Sequence, residues 1–538
     1  MKKHNLLKVL GITFLVVLVL TWIIPSGYYY NGEFVEVGTS PQGFFDLART
    51  PLVAVANLIQ YGILFALIGG FYGVLEKTGA YLPMVDKVVK KWKGKESKLL
   101  ALLTVVFTII SAVTGLDLFL LVLTPFIASI VIGLGCDKIS AMLVTIGSII
   151  IGKIGSVYST SVSFYSNQYF GLENNADIWV KVVICFVVTA LYTLFVVNRN
   201  KKSLTKTKEE KTKETVVKET VKKEKVVKKT ASKKVDNEVK AEVKKESTKK
   251  TSAKTTKTST TKKSTTAKKN SSKKTTKACA KTADTIVVKN SKSALPLIIA
   301  LVLVSIIIVL AMYNWETAFN ITFFTDLYTN IMSLEVKSYP LVANIIGSVT
   351  SFGSWGIYDL IIFLSLVTPI IGWIYGVKLD DMIDGFIDGV KKALPAACLA
   401  VLANVIYAAM YSTSTGANIM FTIANWLIGL TKDFSVFTTA LLAGIGSLFF
   451  NDYQTLIGSL SNALTVSITD SSVYSFISII FQSIYGIVMM IAPTSVLLIG
   501  GLGLFDISFK DWFKNIWKFL LKLFVVIVII FVVIAMFI

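Results

Sequence analysis

Windows 6–25, 52–74, 179–197, 294–312 and 516–538 each run for about 20 predominantly apolar residues, the length a helix needs to cross a bilayer. In hydrocarbon the backbone has no water to bond, so such a stretch must satisfy its own N–H and C=O groups as a helix. With 54% hydrophobic residues and a mean hydropathy of +0.67, the chain is too apolar for a soluble protein of several domains. The expected fold class is an all-α polytopic membrane protein with about 10–12 membrane segments, placed in a cell membrane of the bacterial inner or plasma type. The first window follows Lys2 and Lys3, as the core of a secretory signal would. No small-x-small cleavage site succeeds it and its apolar stretch is long for a signal, so it reads as a retained span.

The formal net charge of +22 suggests a nucleic-acid partner until the charges are located. The whole excess lies in 199–293, a Lys-, Thr- and Ser-rich stretch without an aromatic residue. The remainder of the chain is neutral. Such a segment cannot bury a core and is expected to be disordered, and lacking aromatics to stack bases it makes nucleic acid an unlikely ligand. Three parts follow: an N-terminal membrane part, 1–198; the insert, 199–293; and a C-terminal membrane part, 294–538. Lysine placement puts the insert in the cytoplasm, together with Lys2, Lys3 and "KVVKKWKGKESK" (87–98). "YYYNGEFVEVGTSPQGFF" (28–45), without Lys or Arg, belongs outside.

Against this frame the two membrane parts look related. "GFFDLARTP" (43–51) precedes an apolar run from the outside, whereas "GFIDGVKKALP" (385–395) precedes one from the inside. "DIWVKVVICF" (177–186) and "KDWFKNIWKF" (510–519) open spans in the same opposed sense. Similar strings in opposite orientations mark an inverted-topology repeat, in which substrate sites lie where helices break near mid-membrane.

Polar interruptions of apolar stretches are the candidates for such breaks. "IVMMIAPTSVLLIGGLGLF" (487–505) carries Pro493, Thr494 and Ser495 at its centre. Proline has no N–H and obstructs the carbonyl four residues earlier, while hydroxyls can satisfy the freed backbone or face a ligand. "GKIGSVYSTSVSFYSN" (152–167) supplies Gly155, Ser156, Ser159 and Thr160, and "YSTSTGANI" (411–419) supplies Thr415, Gly416 and Asn418. "FNDYQTLIGSLSNALT" (450–465) adds Gly458, Ser459 and Asn462. Asp117, Lys153 and Asp452 are the ionisable groups among these breaks, and charge at membrane depth usually faces a cavity. Lys153 is a candidate to neutralise a substrate carboxylate; interfacial snorkelling is the alternative for Lys153 and Asp452.

The strings "LTWIIPSGYY" (20–29), "PQGFFDLARTPL" (41–52), "LIGGFYGVLEKTGAY" (67–81), "IDGFIDGVKKAL" (383–394) and "APTSVLLIGGLGLFDISFKDWFK" (492–514) occur in the order of a known family. Both membrane parts thereby resemble the C4-dicarboxylate anaerobic carrier-like family of the ion transporter superfamily. The resemblance implies two inverted repeats, each with a re-entrant hairpin and a broken helix, and secondary transport of carboxylates or amino acids. It implies that Gly155 and Ser156 open the first broken helix, that Pro493–Ser495 belong to the second, and that Gly458 and Ser459 form the second hairpin tip. The chain departs from the family at Ser159 and Thr160, which replace an Asn-Pro, and at Leu456 and Ile457, which replace a Pro-Ser. Asp117 stands where an acidic pair is expected, and "YGIVM" (485–489) keeps only Gly486 of a polar string.

The leading function is thus a secondary active transporter for a small organic anion, dicarboxylate-like, or an amino acid. The alternative is a degenerate, non-transporting membrane anchor whose basic insert binds anionic lipid or nucleic acid. The four cysteines lack metal spacing and His4 is the only histidine, so no metal site, triad or His proton relay is expected. No GxxxxGK[ST] string is present to bind ATP, and no nucleophile–base pair points to an enzyme. No cofactor is expected beyond Na+ or H+ as coupling ion. The expected partners are a small-molecule substrate and the lipid bilayer, with a homodimer as one admissible assembly.

Overall fold

In a computed structural model, the described residues are 2–30, 33–201, 292–335, 339–347, 349–411, 416–430 and 433–536. The expected disorder of the insert and the placement of Thr415 fall outside them. Residues 1–203 and 291–538 form one compact unit. Among the described residues ten helices are long and apolar enough to cross a membrane.

The N-terminal part begins with α1 (Lys2–Ile23), a hairpin of strands β1 (Ser26–Tyr30) and β2 (Glu33–Gly38), and α2 (Asp46–Lys77). Then follow α3 (Tyr81–Trp92), an antiparallel pair α4 (Glu96–Thr114) and α5 (Asp117–Gly133), and α6 (Lys138–Gly155). After an irregular stretch come α7 (Ser163–Phe170) and α8 (Ile178–Lys201). The C-terminal part opens with α9 (Leu295–Met312) and the short helices α10 (Trp315–Phe319), α11 (Phe323–Met332) and α12 (Leu341–Ile346). It continues with α13 (Ile357–Ile374), α14 (Leu379–Leu402), α15 (Val405–Met410) and α16 (Ile419–Gly429). A second helical hairpin, α17 (Val436–Phe449) and α18 (Tyr453–Ser467), precedes α19 (Tyr474–Met489), a break, α20 (Val496–Phe505) and α21 (Phe509–Ile534).

The order span, hairpin, broken helix, span thus occurs twice: α2, α4–α5, α6–α7, α8 and α14, α17–α18, α19–α20, α21. The contacts between matching members fix their relative direction. A Cβ built on Gly69 would lie 2.5 Å from the Gly389 carbonyl oxygen, and one on Gly73 would lie 2.0 Å from that of Gly385. As the number rises along α2 it falls along α14, so the two helices cross antiparallel, backbone against backbone. Small residues permit this close approach in membranes. The Lys77 side chain passes over Gly385 in the same sense, and a Glu76–Lys392 ion pair at 3.0 Å also links the two helices. Likewise Arg199 donates to Asn515 at 3.1 Å while Phe195 stacks on Phe519 at 4.5 Å, which sets α8 antiparallel to α21. Antiparallel mates are what inverted halves require.

The broken helices are central. In their membrane windows 89% of α6 and 78% of α19 are buried, against 22% for α9 and 28% for α13. They meet where Ser483 donates to the Ile154 carbonyl at 3.2 Å and Gly486 admits the Ile154 side chain. On the side the lysines place inside, Arg199 forks onto both oxygens of Asp137 at 2.8 and 2.6 Å. Burial raises the Asp137 carboxyl, but the Arg199 guanidinium and Ser140 outweigh it and hold its pKa at about 2.

The β-hairpin is a finding that the hydropathy windows did not anticipate, although Asn31-Gly32 between two alternating runs is a recognised hairpin string. Its Gly27 exchanges backbone hydrogen bonds with Asn418 at 2.9 and 3.3 Å. That places 416–418 on the outer side with β1, where the lysine count predicts α14–α15 to arrive.

Candidate functional site

Each hairpin turns within two or three residues, and each turn is held against a helix break. In the first, Gly115 adopts φ +69° and its missing Cβ leaves room for Ser159 Oγ and the N–H groups of Thr160 and Ser161, all within 2.8 Å of where a Cβ would sit. Any other residue would have to expel that loop. Thr160 Oγ1 donates to the Thr114 carbonyl at 3.1 Å, at the end of α4. In the second, Thr494 Oγ1 donates to the Leu448 carbonyl at 3.1 Å, near the end of α17. The two threonines are equivalents in the inverted halves. Each stitches a break to the first arm of its own hairpin.

The second arm of each hairpin begins with an aspartate. Asp117 starts α5 and accepts from Ser111 Oγ at 2.7 Å and Ser161 Oγ at 3.2 Å. It pairs with Lys153, which comes from the last turn of α6; both side chains are about nine-tenths buried. Asp452 caps α18, its Oδ1 accepting from the Thr455 N–H at 2.8 Å. Asp452 has no cationic partner among the described residues.

Between tips and breaks lies a cavity of about 570 Å³. Asp117 and Lys153 line it from the first half, Asp452 and Tyr453 from the second, and Ser163 and Val496 mark where α7 and α20 begin. The N-terminal ends of α5, α7, α18 and α20 therefore all border one space. Unpaired N–H groups and a positive dipole end make such termini attractive to carboxylates. A kink in α2 at Leu58 (φ −120°) turns Gln60 and Tyr61 into the same space. Asn174, Asn314, Thr317 and Trp355 also line it, from the segments that precede α8 and follow α9.

Of the residues anticipated from sequence, Asp117, Lys153, Asp452, Thr160 and Ser495 line the cavity. Pro493 and Thr494 belong to the break but not to its lining; the Thr494 side chain is fully buried toward Leu448. Ser495 Oγ caps α20 through the Leu498 N–H at 3.4 Å. Gly155 serves packing, since its Cβ would lie 2.4 Å from the Cys185 Cα. Ser156 Oγ accepts from the Ser163 N–H at 3.3 Å, and Ser159 Oγ accepts from the Ser161 N–H at 3.2 Å, so both shape the first break.

Three placements correct the sequence reading. The second tip is Phe450–Asp452; Gly458 and Ser459 lie inside α18, with Gly458 packed on the Tyr169 hydroxyl. Asn462 is exposed on that helix. Asn418 pairs with Gly27 of β1 and its Oδ1 caps α16 by accepting from the Met420 N–H at 2.7 Å; neither it nor Gly416 lines the cavity. Lys153 is neither interfacial nor free to meet a carboxylate alone, because it is committed to Asp117.

The stitches carry a testable stability. Thr494→Val strands the Leu448 carbonyl, at a cost of about 1–3 kcal/mol, and Thr160→Val leaves the Thr114 carbonyl only the longer bond from the residue 160 N–H at 3.4 Å, a smaller loss. Each is expected to lower the thermal midpoint of the purified protein in detergent; unchanged melting of both variants would remove the stitches from the account.

Two helical hairpins and two interrupted helices, drawn from antiparallel halves onto one polar cavity, are the build of a multi-pass membrane carrier. The sequence profile of the C4-dicarboxylate anaerobic carrier family matches residues 4–239 and 256–537, and the chain belongs to that family. No match was found among curated proteins or among solved structures. Members of this family are transporters rather than enzymes, and the protein is a multi-pass protein of the cell membrane.

Proposed function

We propose that the protein is a secondary carrier that binds a small carboxylate between the two hairpin tips and moves it across the membrane by exchange or ion coupling. The observation that carries this reading is the shared cavity: both tips and both breaks, one set from each inverted half, border one space. In such an arrangement, alternating access amounts to rocking the halves about a fixed site. The N-termini of α5 and α18 already face the carboxylates of Asp117 and Asp452, and those of α7 and α20 are the dipole ends left for a substrate carboxylate, without a free arginine or lysine. The spans contain no histidine, His4 standing just ahead of the first at Asn5–Ile23, which leaves Na+ or a carboxylate proton for coupling.

A membrane anchor has no use for a cavity whose walls hold a buried ion pair and a half-buried carboxylate, and the anchor reading is set aside on that ground. Counterflow into proteoliposomes, with C4 mono- and dicarboxylates and amino acids as labelled substrates, tests the proposal. Uptake dependent on the protein, and changed by an imposed Na+ or pH gradient if coupled, is the expected result. Absence of uptake for every compound, with a monodisperse folded protein, would overturn it.

A further inference from the structure

The cavity's polar groups are unevenly divided between donors and acceptors. Three charged side chains line it, and Asp117 and Lys153 cancel each other, which leaves the Asp452 carboxylate. Asn451 lies beside it at the tip. Its Nδ2 donates to Asn404 Oδ1 at 2.9 Å, and this fixes the amide with Oδ1 buried and without a donor. From the other half, Asn167 is only 5% exposed and its Oδ1 likewise has no partner. Both asparagines line the cavity. Ser166 and Tyr453 hydrogen-bond through their hydroxyls at 2.5 Å, which holds α7 and hence Asn167 beside the second tip. Tyr61, Tyr165 and Tyr485 also line the space, and each stands within electrostatic reach of Asp452.

Buried acceptors without donors are costly, and a bound ligand that donates hydrogen bonds removes the cost. A carboxylate has only acceptors and cannot do so. An alkylammonium has three donors and a positive charge, and it is attracted by carboxylates and by aromatic faces alike. We infer that the substrate of this cavity carries a protonated amine as well as a carboxylate, an amino acid rather than a plain dicarboxylate, with the amine held by Asp452, Asn451 and Asn167. The carboxylate then takes the N-terminal end of α7, on the Lys153 side. This inference rests on the carrier reading above and narrows its substrate class.

Four-carbon compounds that differ only in their charged groups separate the alternatives: succinate, aspartate and 2-aminobutyrate, with NaCl as a fourth probe. Binding to the full chain in detergent is measured by calorimetry and by ligand-induced thermal shift. The two amines are expected to bind at least tenfold more tightly than succinate. Asp452→Asn, which keeps the helix cap and loses the charge, should erase that preference; Asp452→Ser, a second uncharged cap, should agree and controls for fold. Tighter binding of succinate, unaffected by Asp452→Asn, would overturn the amine while leaving the carrier reading intact. Stabilisation by Na+ alone that depends on Asp452, with no response to either amine, would assign the acceptors to a metal ion and overturn it too. Binding of none of the probes, together with absent counterflow, would sink both readings.

Discussion

Gly389→Val is expected to abolish the folded monomer. The Cβ of any residue at 389 would lie 2.0 Å from the Gly69 carbonyl oxygen and 3.1 Å from the Gly70 Cα. Those atoms are backbone, so no rotamer change relieves the clash and α2 must move bodily. Overpacking of a core with flexible side chains costs about 1–3 kcal/mol; here the cost should exceed that range, because the crossing joins the two halves. Size-exclusion chromatography of the detergent extract checks it. Gly11→Val on α1, where nothing lies within 4 Å of a built Cβ, is the control and should elute as wild type. A monodisperse Gly389→Val protein would mean that α2 and α14 do not meet as described.

The second large effect concerns the buried pair in the first half. Lys153→Met leaves Asp117 with only the Ser111 and Ser161 hydroxyls, and Asp117→Leu leaves Lys153 with a single 3.4 Å contact to Ser161. Breaking one side of a buried pair costs about 3–5 kcal/mol, because the survivor's charge stays desolvated and unpaired. Removing both charges is often neutral for stability. The double variant should therefore recover most of the melting temperature that either single variant loses, yet not recover counterflow, since the pair sits at the first tip. A double variant no more stable than the singles would show that the pair is not coupled in this way.

How much of this could be read from sequence depended on the kind of signal. Spans announce themselves by length and apolarity because a bilayer leaves no alternative, and α2, α8, α9 and α21 cover their windows within a few residues or a turn or two. The opposed halves were legible from lysine placement and from the two pairs of similar strings. The site was harder, because hydroxyl content in a membrane does not by itself identify a ligand contact. Many hydroxyls simply bond the carbonyl one turn back, as Thr124 does to Leu120, Ser447 to Ala443 and Thr465 to Ser461. This is why the serine- and asparagine-rich stretch 458–462 drew attention although the tip lies earlier. The better signal was Asp452 three residues ahead of Thr455, a helix-capping spacing. The free oxygens of Asn451 and Asn167 could not be found from sequence at all. Which end of an amide is spent depends on a partner such as Asn404, 47 residues away in the chain.

The glycine crossing of α2 on α14 has a mechanical consequence. Interlocked side chains make most helix contacts behave like meshed gears, with discrete stops separated by repacking. At the closest approach of this joint there are few teeth: Gly69, Gly73, Gly385 and Gly389 present bare backbone to one another, and the flat ring of Phe386 lies over Gly70. Such a bearing is tight in the direction that separates the helices and smooth in the direction that swivels them. The strongest attachment between the halves is thus also the one that least resists their rotation, the mechanical property a pivot needs.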